Sequence, residues 1–103
     1  MVRIVFVTAP DEATARGIAS ALVEERLAAC VNVVPGLTSI YRWEGRVVED
    51  AEALLIVKTT EEALGALEAR VRELHPYEVP EVVAVPVEGG SEHYLAWVKE
   101  SVK

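Results

Sequence analysis

One thiol, two imidazoles and one lysine inside an apolar strand are the groups of this chain best suited to chemistry: Cys30, His75, His93 and Lys58. A thiolate suits copper(I) and zinc, so Cys30 is a candidate metal ligand. Its neighbours Ala29 and Val31 equally allow plain packing, because free cysteine is among the most buried residue types. The two histidines lie far from Cys30 along the chain, and no His-x-His, Cys-x-x-Cys or His-Glu-x-x-His pattern is present. A metal centre would have to be assembled from distant segments or from two subunits. His75 ends a helical pattern, where a partly positive imidazole favours the helix dipole without any metal. His93 falls in the first turn of the last helical segment and reads as solvent-exposed.

Lys58 interrupts the apolar run Leu54 to Val57. Lysine is rarely buried unpaired, so it either points into a polar cleft or marks the strand end reaching water. Tyr41 and Trp43 alternate onto one strand face, with Arg42 on the other. Aromatics at an exposed strand tip serve as interface anchors or as stacking platforms for a ligand. Alternation splits the acidic residues Glu49, Asp50 and Glu52 across two faces, which reads as a solvated or salt-bridged strand rather than a hard-cation site. No nucleophile–base pair can be placed: Ser39 and Ser91 have no evident histidine neighbour, and Asn32 is the only side-chain amide. The chain therefore reads as no enzyme. Gly89-Gly90-Ser91 before the last helix is a weak phosphate-loop signal.

The elements that must position these groups follow from periodicity. Val2 to Thr8 is a nearly continuous β-branched and apolar strand. Thr8-x-x-Asp11 has capping-box-like spacing and opens a helix predicted from about Asp11 to Ala29, with Ala15, Ile18, Ala19, Leu22 and Val23 on its apolar side. Two long strands then flank a Glu44-Gly45 turn, and the first of them runs from Cys30 to Trp43. Pro35-Gly36 marks a bulge or bend, since proline cannot donate to a ladder. Without a bulge, pairing Trp43 with Arg46 sets Val31 opposite Lys58, with Cys30 close by. Leu64, Leu67, Val71 and Leu74 form the stripe of a second helix that Pro76 stops. Glu81 to Val87 is the last strand, and Ser91 caps a short final helix.

This order, β-α-β-β-α-β with an added C-terminal helix, predicts one α+β domain over residues 1–103: a ferredoxin-like sandwich with a long extended hairpin. A 14-residue strand spans roughly 45 Å, whereas a domain of this size has a radius of gyration of only about 13 Å. The hairpin must bend or reach another subunit. The sheet face away from the helices is also too apolar to remain bare. Both features predict self-association.

Composition excludes other classes. The net charge is −7, and the ten basic residues are scattered, which argues against nucleic acid. No segment approaches the ~20 apolar residues of a membrane span, and no secretory leader is expected. A single cysteine forbids an intrachain disulfide and fits a reducing cytoplasm. The absence of Gln, with one Asn, one Met and one Cys, predicts a heat-stable protein.

Several blocks resemble the CutA divalent-cation tolerance family. They are Thr8-Ala-Pro-Asp11, Leu27-Ala-Ala-Cys-Val-Asn32, Pro35-Gly-Leu-Thr-Ser-Ile-Tyr-Arg-Trp-Glu-Gly45, Leu55-Ile-Val-Lys-Thr-Thr60, His75-Pro-Tyr-Glu-Val-Pro-Glu81 and Tyr94-Leu-x-Trp97, in order over nearly the whole chain. The resemblance implies a ferredoxin-like homotrimer, built like the PII signalling proteins and linked to tolerance of copper and other divalent cations. It implies divalent metal ions and further copies of the chain as partners, with no organic cofactor. It brings His75 and Glu81 towards Cys30 and Lys58, so Cys30 and His75 are the metal candidates. Lys58, Glu81, Tyr41 and Trp43 are then the residues of a ligand cleft. The alternative from the same build is a sensor that binds a small anion between subunits through Lys58, Arg42 and His75.

Overall fold

The computed structural model describes all residues, Met1–Lys103. Its elements are β1 (Val2–Ala9), α1 (Glu12–Glu24), β2 (Cys30–Trp43), β3 (Arg46–Thr60), α2 (Leu64–Leu74, led in by a 3-10 turn at Glu61–Ala63), β4 (Val82–Pro86) and α3 (Glu92–Ser101). The four strands form one antiparallel sheet in the order β2-β3-β1-β4. This is the expected ferredoxin-like arrangement with an extra C-terminal helix.

Period-two alternation decides which face is buried. Val5, Val7 and Ala9 of β1 pair with Val57, Leu55 and Ala53 of β3, and all six side chains are buried. Ala15, Ile18, Ala19 and Leu22 of α1 and Leu67 and Val71 of α2 close over them as the main core. A second cluster joins Val98 and Val102 at α3 to Val2, Ala29 and Ala63. The opposite sheet face keeps large apolar groups in solvent, among them Val34, Val83 and Val85.

Local chemistry moved the predicted C-terminal boundary of α1. Helix α1 stops at Glu24, not near Ala29. Arg26 enters the left-handed region at φ 60°, and the N–H groups of Leu27 and Ala28 turn back to the Leu22 carbonyl. The chain must leave the helix there to reach the sheet. Ala29 N–H donates to the Lys58 carbonyl, and the buried Thr59 hydroxyl donates to the Leu27 carbonyl at 2.6 Å. Arg26 meanwhile donates to the carbonyls of Glu100 and Ser101, satisfying the C-terminal end of α3. At the other end of α1 the cap is Asp11 itself, whose carboxylate accepts from Thr14 N–H at 2.7 Å, while Thr8 belongs to β1. That bond lowers the Asp11 pKa.

The hairpin is as long as expected, and the molecule measures 44 × 25 × 23 Å. Register slips by one residue between Val34 and Leu37, because Pro35 and Gly36 together oppose Ala53 alone. Gly36 takes φ 79°, a conformation open to glycine. The bulge places Cys30, rather than Val31, directly opposite Lys58. At the tip, Glu44 and Gly45 have φ of 49° and 76°, both positive as a primed two-residue turn requires. Glutamate is strained there, whereas asparagine tolerates it. Glu44→Asn is expected to raise stability by up to about 1 kcal/mol in a denaturant titration. An unchanged or lowered midpoint would show that the turn is set by other contacts.

Candidate functional site

The residues expected in one cleft fall into two groups. Cys30 and Lys58 face each other across β2 and β3, with the Lys58 ammonium 4.0 Å from the Cys30 sulfur. Lys58 Nζ donates to the Asn32 side-chain carbonyl. No carboxylate lies within ion-pair distance of Lys58. Tyr94 of α3 packs against Cys30. Burial first, and then the sulfur, raises its pKa. The Trp97 ring lies 5.5 Å from that of Tyr94. Cys30 is half-buried and free.

Six residues back along β3, about 20 Å at strand rise, a cavity of about 660 Å³ opens between the outer hairpin and the loop 75–81. Tyr41, Trp43 and Glu81 are among its lining residues, and Lys58 is not. Tyr77, Asp50, Glu52 and Glu78 also line it. The Tyr41 hydroxyl donates to Asp50, which chiefly pushes its pKa up to about 12. The Tyr77 hydroxyl reaches Glu52 at 3.4 Å; burial and then the Glu52 charge raise its pKa.

His75 holds this wall in place. It is buried, with Nε2 2.7 Å from the Thr8 carbonyl and Nδ1 accepting from Tyr77 N–H at 3.1 Å. That pattern puts the proton on Nε2 and leaves neither nitrogen free for another partner. Its ring lies 4.8 Å from that of Tyr77. The residue also ends α2, taking ψ 137° ahead of Pro76. Arg42 is exposed on the hairpin and lies outside the cavity lining.

Alternation did send Glu49 to one side and Asp50 and Glu52 to the other. The latter two do not end in open solvent: Glu52 is 8% exposed and Asp50 is half-buried. Their spacing with Ser39 and Tyr41 was the available signal, because Ser39 pairs with Asp50 in register. The part played by Tyr77 and Glu78 depends on the path of loop 75–81, which periodicity does not encode.

No three His, Cys, Asp or Glu side chains converge as a metal-ligating set. Cys30 stands beside an ammonium, and His75 is committed on both nitrogens. The residues of one chain therefore do not by themselves fit a chelated divalent ion. No helix is long and apolar enough to cross a membrane.

Comparison with known proteins agrees with this build. The family model described as CutA1 divalent ion tolerance protein matches residues 3–101. The divalent-cation tolerance protein CutA of Thermus thermophilus is 61% identical over 101 residues, 98% of each chain. Human Protein CutA is 54% identical over 95 residues, 92% of this chain but only 53% of the human one. A solved Thermus thermophilus divalent cation tolerance protein superposes with a TM-score of 0.99 at 60% identity over the full length of both chains. Rice CutA1 does so with 0.97 at 48%, covering 99% of this chain and 94% of that one. In sequence and in fold, the chain belongs to the CutA1 divalent ion tolerance protein family.

Proposed function

We propose that the chain acts as a cytoplasmic homotrimer in divalent-cation tolerance, binding copper or another divalent ion at a site completed between subunits. The observation that carries the assembly is the bare hairpin. Ile40, Trp43 and Val47 are 67, 55 and 68% exposed, and Val34, Val83 and Val85 add apolar surface on the open sheet face. Strand β2 is a sheet edge along its length, and Arg46–Glu52 of β3 pair with β2 alone. Long exposed edges with apolar side chains are covered in stable proteins. Cys30 is the soft donor. Because no three ligating side chains converge in one chain, the remaining donors come from another copy. The single cysteine supports a reducing compartment, and depletion of thermolabile residues supports heat stability.

Copper(I), copper(II) and zinc titrations of metal-free protein, wild type against Cys30→Ser, test the metal assignment. Saturable binding at one ion or one-third ion per chain is expected, weakened at least about tenfold by the substitution, the scale of losing one thiolate ligand. Affinity indifferent to Cys30→Ser would remove the thiol from the site.

A trimeric sensor of small anions is supported by one observation: Lys58 is half-buried without a carboxylate partner. Melting shifts with nucleotides that vanish in Lys58→Met would favour that reading over metal binding.

A further inference from the structure

The register slip at Pro35-Gly36 sets a thiol directly opposite an amine. Val31 and Val57 pack on the main core, so Cys30 and Lys58, one residue along each strand, take the other sheet face. Both are half-buried, and the Cys30 sulfur lies 4.0 Å from the Lys58 nitrogen. Lys58 has no stronger commitment. No carboxylate lies within ion-pair distance, and its other hydrogen bond goes to the neutral Asn32 side-chain carbonyl. A half-buried cation without a counter-charge is uncommon, and here its neighbour is the one oxidisable thiol of the chain.

A thiol oxidised by a hydroperoxide becomes a sulfenic acid, whose fate depends on the nearest nucleophile. Often that is a second thiol, which closes a disulfide. Cys30 is the only cysteine, so no second thiol exists in the chain. Without any resolving group, further oxidation to sulfinic and sulfonic acids is irreversible. A nitrogen also resolves a sulfenic acid, by condensing with it to a sulfenamide. The Lys58 nitrogen is placed for that reaction, and its flexible four-carbon stem can close the remaining distance while the strands stay paired.

We propose that a hydroperoxide couples Cys30 to Lys58 through a sulfur–nitrogen bond, a reversible oxidation switch within one chain. In the first step the sulfur takes one hydroxyl group of the peroxide, the O–O bond breaks, and the thiol proton leaves with the other oxygen as water. Sulfur loses two electrons and the peroxide gains them. In the second step the Lys58 nitrogen attacks the sulfur and the S–O bond breaks. The hydroxyl departs as water with one ammonium proton, and a second proton passes to solvent. Two molecules of an added thiol reverse the bond: they leave as a disulfide, and the Cys30 thiol and the Lys58 amine return. The bridge removes both the thiol and the positive charge. Its effect on metal binding rests on the metal reading above, because a bridged Cys30 is no longer a donor. The bridge itself is tested in metal-free protein and does not need that reading.

Peptide mapping by mass spectrometry, after metal-free protein is treated with a small excess of hydrogen peroxide, tests the proposal. A bridged lysine resists trypsin, so peptide 27–42 should appear joined to peptide 47–70, lighter than their sum by two hydrogens. Dithiothreitol should separate them. The one methionine, Met1, is exposed and takes up oxygen as sulfoxide, so the joined peptides are read rather than the mass of the whole chain. Lys58→Met should abolish the joined species and send Cys30 on to sulfinic acid, which dithiothreitol does not reverse. Lys58→Arg should do the same, since guanidinium keeps the charge but stays protonated and does not attack sulfur.

Wild-type protein in which Cys30 reaches sulfinic acid without the joined species would overturn the proposal. So would a disulfide between the Cys30 residues of two chains, a joined species at Lys99 or Lys103, or a Cys30 that peroxide leaves unreacted. Protection of the thiol by Lys58→Arg as well as by lysine would also overturn it, by showing that charge alone acts. The wild-type peptides carry the assignment, so a Lys58 variant that fails to fold leaves the test intact. A bridge in wild-type protein whose reduced form binds neither copper nor zinc would support the switch and remove the metal reading.

Discussion

Replacing Ile40 and Val47 together by aspartate is expected to turn the proposed trimer into monomers of 11.2 kDa. Both side chains stand about two-thirds exposed on the outer hairpin, where nothing in their own chain covers them. They share one face, since Arg42 pairs with Val47 and Ile40 pairs with Glu49 two residues on. Burying a large aliphatic side chain at an interface is worth about 1.5–3 kcal/mol. Aspartate loses that and adds a charge that must be desolvated. A closed symmetric assembly repeats the change at every interface, so two substitutions per chain cost each contact on the order of 3–6 kcal/mol. That is roughly two to four powers of ten in the association constant. Each monomer should keep its secondary structure by circular dichroism, because neither residue belongs to the core. A variant that stays assembled at micromolar concentration would move the interface away from the hairpin.

Leu55→Ala acts on the other half of the structure and should be the most damaging single core change. Leu55 is fully buried at the centre of the sheet, with Val7 on one side and Val33 on the other, within the cluster that α1 and α2 close. Truncation leaves a cavity walled by strands on both sides, which relax poorly. The expected cost is about 2–5 kcal/mol, or a fall in Tm of roughly 10–25 °C for a domain of this size. The Tm should be compared at equal protein concentration, since assembly adds to apparent stability. A fall of only a few degrees would mean that the core repacks around the missing atoms.

How far the sequence could be read depended on the range of the interactions involved. The ends of β2 were legible to the residue: Ala29 and Cys30 begin an apolar run, and Glu44-Gly45 can only be a turn. The last turn of α1 was not, because Arg26, Leu27, Ala28 and Ala29 leave the helix for hydrogen bonds to α3, Leu22 and Lys58. Helical periodicity continues through these residues, and tertiary contacts override it. The bulge was legible as an event at Pro35-Gly36, but its one-residue slip in register was not. That slip converts Cys30 from a neighbour of Lys58 into its direct partner.

The candidate sites divide along the same line. Cys30 with Lys58 follows from strand register alone. The acidic cavity required loop 75–81 to fold back, and the anchor for that fold is the His75 imidazole bound to the Thr8 carbonyl, 67 residues away. Alternation read Glu52 as part of a solvated or salt-bridged strand, because acidic residues are rarely buried. Only the packed loop shows it buried, with Tyr77 above it.

Multi-angle light scattering of the purified protein, carried down to low micromolar concentration, tests most directly whether the hairpin builds an assembly. Three chains of 11.2 kDa, near 34 kDa as 3 × 11.2, is the mass expected throughout the dilution series. A mass of one chain at every concentration would contradict it. The exposed edge of β2 and the apolar tip would then be free surface, and an inter-subunit metal site would have no partner to complete it.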